Sequence, residues 1–416
     1  MKMRNKNFWP VIVLAFVLRV LISATTYHPD LRATEFASFD IVENGHLTSF
    51  YDTLHRLPPE SPLVKSLGPD ELNYPPLAYL APTAFRFLLR PIFSPQKDLA
   101  ILTGPEHLFE NPSFFGYLLL LKLPNFFPDF VLAWAITFFF SRQEQKKLAA
   151  FLWLFNPLTL YATFAIGQLD IWPTALTVLA GVFLVKKKPL PAVLLLGLGG
   201  GYKLFPLLLL LPTAIAFGHS LFGRLCLLAG GLAVYAAVVL PFLLTSPGYR
   251  STALLAPQVD KMLFAHVNVS GDQYLSFFIV GYVLLLAFSF SLPAERWLTL
   301  WVGILVIFFA VTNYHPQWFL WLTPWLIILV LKNDLYLWPS LTLLVADIAI
   351  TLSFDPSLHY GLLSPLVPSL SQLPYTLPSL LGKVLPFPTI VSLVRSTLAA
   401  IGTYLIYLLA REKFSV

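Results

Sequence analysis

Cysteine is nearly absent: Cys226 is the single one in 416 residues. That excludes an internal disulfide and a zinc site built from several thiolates. Charge is scarce too, at 12% of residues against 57% hydrophobic, with a mean hydropathy of +0.73. A soluble domain carries about a quarter charged residues and needs them for its surface. No Gly-rich phosphate loop or nucleophile-elbow motif occurs, so no motif points to P-loop chemistry or a covalent serine or thiol mechanism. Short-period repeats are missing, as are the alternating segments of roughly ten residues that build a membrane barrel. The composition that remains is that of an all-α polytopic membrane protein.

The net charge of +6 does not point to nucleic acid. The basic residues sit in short runs between apolar segments, as orientation signals do. Apolar runs near 20 residues predict spans at 8–26, 114–140, 148–166, 170–185, 189–202, 203–218, 223–244, 273–291, 296–312, 317–331, 333–353 and 388–410. The stretch 75–93 is apolar as well. Read as an interfacial or re-entrant helix, it leaves every basic run on one side: Lys2, Arg4 and Lys6; Arg142, Lys146 and Lys147; Lys186 to Lys188; then Arg224, Arg296, Lys332, Arg411 and Lys413. The expected topology is about twelve spans in a cell (inner) membrane, with both termini cytoplasmic. Residues 1–416 then form one integral-membrane domain with two extracytoplasmic loops, 27–112 and 354–387.

With that topology the polar motifs gather on the outer face. They are "HPDLR" (28–32), "NYPPL" (73–77), "FNPLTLYATFAIGQLD" (155–170), "GYKLFP" (201–206) and "NYHPQWF" (313–319). Asp30 is either a helix N-cap or a general base. Glu35 and Asp40 are either helix-surface residues or secondary carboxylates held in reserve. Arg32, two residues after Asp30, either binds a phosphate or holds the Asp30 carboxylate ionised. Tyr74 reads as an interface anchor or a substrate contact. Gln168 and Asp170 lie where polar groups are costly unless they face protein or water, and Gly167 permits a break there. Lys203 either snorkels or meets a phosphate. His315 and Gln317 are candidate ligand contacts, while the aromatic belt accounts for Trp318, Trp321 and Trp325 without function. Arg19, Lys122, Asp129 and Asp347 fall inside spans; a bridge from Arg19 or Lys122 to Asp129 is as good a reading as function. No metal-ligand set stands out.

Together these motifs resemble the GT-C superfold of integral-membrane glycosyltransferases, over roughly residues 1–330. The likeness is to bacterial proteins related to the GPI mannosyltransferases and to polyprenyl-phosphate-mannose-dependent enzymes. It rests on Asp30 in a long first loop, "YPPL", "NP" followed by "GQLD", Lys203 with Pro206, and "HPQ". It departs from related bacterial sequences at Pro29, Asn73 and "HPQ". The resemblance implies transfer of a hexose, with mannose the expected sugar, from a polyprenyl-phosphate donor to a glycan, lipid or protein hydroxyl. Asp30 would be the general base. Arg32, Lys203 and His315 would face the phosphate, and Tyr74, Gln168, Asp170 and Gln317 would bind or shape the substrate. Membrane lipids are the other expected partners, and nucleic acid is not one. No cofactor is specified, and a divalent metal is left open. The rival reading is a transporter or flippase, favoured by midplane charges and disfavoured by the lack of an inverted repeat.

Overall fold

A computed structural model describes residues 8–412 except 110, 255–259, 374–375, 383 and 385. Lys2, Arg4, Lys6 and Lys413 of the orientation signal lie outside the described residues. The first half holds α1 (Trp9–Thr25), α2 (Leu31–Asn44), α3 (Phe50–Arg56), α4 (Pro62–Leu67), α5 (Leu77–Leu88), α6 (Pro95–Thr103), α7 (Ser113–Lys122), α8 (Phe126–Ala135), α9 (Gln143–Leu154) and the single turn α10 (Pro157–Thr159). Next come α11 (Ile171–Val185), α12 (Pro189–Gly200), α13 (Phe205–Phe217) and α14 (Leu221–Thr245). An antiparallel hairpin, β1 (His266–Ser270) with β2 (Gln273–Ser276), precedes α15 (Phe277–Ser289), α16 (Trp297–Val311), α17 (Thr323–Lys332), α18 (Leu337–Thr351), α19 (Leu377–Leu381) and α20 (Phe387–Arg411).

Among the described residues, five helical stretches are long and apolar enough to cross a membrane: Ser113–Phe139, Leu221–Thr245, Ala294–Val311, Asp334–Thr351 and Phe387–Arg411. A sixth arises if Gln143–Leu154 and Pro157–Ile166, bent by 41°, count as one span. The bend falls at "FNP", where the Asn156 side chain accepts from the Leu158 and Thr159 N–H groups and restarts the helix. Twelve independent spans are not met by this criterion. The other expected crossings fall on apolar helices of 10–17 residues. A 12-residue helix such as α12 covers about 18 Å of a hydrocarbon core about 30 Å thick.

Packing around α11 and α16 forms the main core, with Trp153, Trp297, Trp301 and Trp325 all at 0–2% exposure. Trp318 and Trp321 are buried as well and stack at 5.2 Å. The expected interfacial belt is therefore corrected: these three indoles of "HPQWFLWLTPW" are interior. Proline opens α12, α13, α17 and α20 in the first turn, where its missing N–H breaks no helical bond. Gly197 lets α12 meet α14 backbone to backbone, and Gly201, just past the end of α12, abuts the Val238 side chain of α14. A Cβ on Gly197 would lie 2.0 Å from the Gly231 carbonyl oxygen.

The long segment after α1 is a packed layer rather than an open loop. α2, α3 and α5 enclose Phe50, Tyr51 and Tyr79, against Phe242 and Tyr249. Arg86 on α5 bridges Glu35 on α2 (2.6 Å) and Asp98 on α6 (2.5 Å), all three buried. α5 carries Pro82 and leaves Phe87 and Leu88 exposed at its end. Inside the bundle Arg19 pairs with Asp129 at 2.6 Å, and Trp153 Nε1 donates to the other Asp129 oxygen. Asp347 accepts from the Tyr314 hydroxyl at 3.1 Å.

Candidate functional site

Three chain segments far apart in sequence are pinned together by buried donors. Lys122 Nζ donates to the Thr26 carbonyl at 2.7 Å and to the Ala165 carbonyl at 3.0 Å. The end of α1 is thereby fixed to the π-helical turn Leu160–Ile166. Asn125 Nδ2 donates to the Thr163, Gly167 and Gln168 carbonyls. Gly167 ends that turn at φ +87°, and a Cβ there would lie 2.6 Å from Leu31 Cδ2. A left-handed, tightly abutted position of this kind favours glycine. The turn delivers Gln168 to the first residues after α1, and its Nε2 donates to Asp30 Oδ2.

The "NYPPL" strap is held from both sides. Tyr51 OH donates to the Tyr74 carbonyl at 2.6 Å, and the Tyr74 N–H donates to Tyr79 OH at 3.2 Å. The Leu77 N–H donates to the Gly201 carbonyl at 2.9 Å. Tyr74 thus faces Lys203, whose Nζ stands 4.5 Å from the ring centroid. Lys203 also pairs with Asp170 at 2.7 Å. Trp321 Nε1 donates to the second Asp170 oxygen at 2.6 Å, so this enclosed carboxylate has both oxygens engaged.

Two cavities result. A polar one of about 190 Å³ is lined by Asp30, Glu71, Asn73, Tyr74, Gln168, Lys203, His315 and Gln317. An apolar one of about 90 Å³ is lined by Tyr74, Leu204, Phe205, Leu208, Met262, Phe308, Trp318 and Trp321. Asn73, Tyr74 and Lys203 belong to both walls. Burial, then the Lys261 ammonium, lowers the His315 imidazole to about 4, which leaves it neutral at pH 7. Burial, then the Asp30 carboxylate, raises Glu71. Gln317 Oε1 is buried and has no hydrogen-bond partner among the described residues.

Six of the expected residues, Asp30, Tyr74, Gln168, Lys203, His315 and Gln317, line the polar cavity. Asp170 stands behind Lys203. Arg32 is not on the cavity wall: its guanidinium donates to Ser66 Oγ at 2.8 Å and to the Pro29 carbonyl. The helix-surface placement of Glu35 and Asp40 is corrected. Glu35 is buried against Arg86. Asp40 is buried among Asn44, His46 and Thr53. Both face away because α2 turns them into its own packing layer.

Sequence reading missed Glu71, His28 and Lys261. His28 is buried, which lowers its imidazole, and its Nδ1 accepts from the Asp30 N–H. With Nδ1 accepting, Nε2–H donates to Ser357 Oγ at 3.1 Å, and Ser357 donates on to Asp355. The Tyr27 N–H donates to the Leu362 carbonyl. Residues 354–363 are thus latched to the start of the first loop.

This arrangement offers hydroxyl-binding acceptors, a cation at an aromatic wall and an apolar recess. Among the described residues no group of three or more His, Cys, Asp or Glu is placed to hold a metal ion. A family model described as GPI transamidase subunit PIG-U matches residues 107–328, just over half of the chain. No curated protein and no solved structure matches. The family match overturns the expected hexose transfer, the mannosyltransferase assignment and the polyprenyl-phosphate sugar donor, and the GT-C likeness is not confirmed. The physical reason is that such motifs specify a pocket, and a pocket does not specify a reaction.

Proposed function

The chain belongs to the PIG-U family of GPI transamidase subunits, and on that premise we propose that it holds a phosphoglycolipid in the membrane for partner chains to act on. One observation carries this reading: a polar cavity and an apolar cavity share the wall Asn73, Tyr74 and Lys203. A ligand with a glycan head and an acyl tail matches that change of polarity. Buried polar walls reward a head group that hydrogen-bonds and penalise one that does not. Asp30, Gln168 and Gln317 are assigned to sugar hydroxyls, Tyr74 to the junction, Lys203 and His315 to the phosphate end, and Asp170 to holding Lys203. Arg32 anchors the first loop to α4.

The layer of short helices from α2 to α6 lies on the face opposite the basic loops in this reading. The shorter apolar helices pack together to complete about twelve crossings. The test is lipid binding by the full chain in uncharged detergent. A glycosylated phosphatidylinositol should bind at least tenfold more tightly than diacylglycerol with the same chains. The variant Asp30→Ala/Gln168→Ala should reduce that preference and leave diacylglycerol binding alone. Equal affinity for the two lipids in the native chain would sink the proposal.

A further inference from the structure

Lys261 is the least explained charge near the two cavities. It lies in the turn Asp260–Leu263, just before Met262 of the apolar wall. Its Nζ stands 4.8 Å from the centroid of Trp318. Lys203 Nζ stands 5.6 Å from the centroid of the same indole. Two ammonium groups therefore converge on one ring. Asp170 offsets only one of them, because it is bound to Lys203. Among the described residues no carboxylate lies within ion-pair distance of Lys261. Burial and the Lys203 charge together lower the Lys261 ammonium to about 8.

A second observation concerns the ring itself. Trp318 is 3% exposed, and its Nε1–H has no acceptor among the described residues. A buried N–H without an acceptor is costly. Lys203 lies on the wall that the polar and apolar cavities share, Trp318 lines the apolar one, and Lys261 adjoins Met262 of that same wall. Two cations and one indole donor so placed call for an anion joined to a hydrocarbon. Phosphate oxygens satisfy both donor types, and charge-assisted contacts to them are the strong ones.

We propose that Lys261, with Lys203 and Trp318, forms the subsite for the phosphodiester of a bound lipid. This rests on the lipid-binding reading above and adds the residue that selects phosphate. Lys261 is a specificity determinant, and it should govern affinity for charged lipid without governing affinity for neutral lipid.

The test uses the full chain in uncharged detergent with two fluorescent short-chain probes, phosphatidylinositol and diacylglycerol. Lys261→Met should weaken phosphatidylinositol binding about tenfold, the scale of one lost charge-assisted contact, and leave diacylglycerol unchanged. Lys261→Arg should keep most of the affinity, and Lys261→Glu should lose more than Lys261→Met. Native-like binding of phosphatidylinositol by both Lys261→Met and Lys261→Glu would overturn the subsite while leaving the cavity reading intact. Failure of the native chain to prefer phosphatidylinositol would overturn both. Displacement of the lipid by inorganic phosphate at matched concentration would assign the cations to a free anion and overturn the lipid assignment.

Discussion

Removing either partner of the Lys203–Asp170 pair should cost far more than removing both. At 2.7 Å, with an effective dielectric of about 20, the Coulomb attraction is on the order of 6 kcal/mol. Desolvation of two buried ions offsets most of that, so the pair is close to neutral against an uncharged replacement. A single change leaves an uncompensated charge. Lys203→Met strands a carboxylate that keeps only the Trp321 N–H, and Asp170→Asn strands an ammonium that is 5% exposed. Each should destabilise the fold by about 3–5 kcal/mol. The double variant Lys203→Met/Asp170→Asn still offers the Trp321 N–H a side-chain amide oxygen at position 170. It should cost less than either single change, and so fall short of the summed cost by at least about 5 kcal/mol. Unfolding in mixed micelles by titration with denaturing detergent measures all four corners of the cycle. Additive costs would refute the buried-pair reasoning. The double variant also separates folding from binding: it should be stable yet bind phosphatidylinositol poorly.

Gly167→Ala should cost about 2–4 kcal/mol. It combines a left-handed backbone with a Cβ pressed on Leu31 and Lys122; a thermal midpoint within a degree of the native chain would contradict it. Burial pushes the Glu35 carboxyl up to about 8 despite Arg86. The folded state therefore holds this proton more tightly than the unfolded one. Its contribution is fully present below about pH 4.5 and is lost as pH rises through about 8. Glu35→Gln should flatten the loss of stability between those values, measured as midpoint against pH. Ser357→Ala removes the acceptor of His28 Nε2–H and should loosen residues 354–363 by about 1 kcal/mol in amide exchange. Leu99, 55% exposed, when changed to Cys in a chain lacking Cys226, should react with an impermeant thiol reagent from the face opposite the basic loops. Labelling from the other face would reverse the orientation.

The helical membrane class was legible because it depends only on composition and run length. The gathering of Asp30, Gln168, Lys203 and His315 was legible as well, since polar residues at the ends of apolar runs have few places to go. The fates of Arg32 and Glu35 were not. Glu35 is claimed by Arg86, 51 residues away, and nothing in the local pattern of α2 foretells that partner. The Arg19–Asp129 bridge stood among the readings because two buried opposite charges are cheapest together. Lys261 gave no signal, for its isolation depends on what every other carboxylate is doing. The count of twelve spans is not confirmed by helix length, because proline and glycine cut apolar runs into pieces, as at "FNP" and "GLGGG".

The four-residue spacing of Gly197 and Gly201 is the pattern by which helices of separate chains often pair in a bilayer. Here α14 already occupies that seam from within the same chain. A second copy cannot dimerise through it without first evicting a 25-residue helix. The outer side of α14, by contrast, leaves Leu232, Leu240 and Leu244 exposed. Those leucines should drift freely among apolar residues over evolutionary time, while the glycine seam should not.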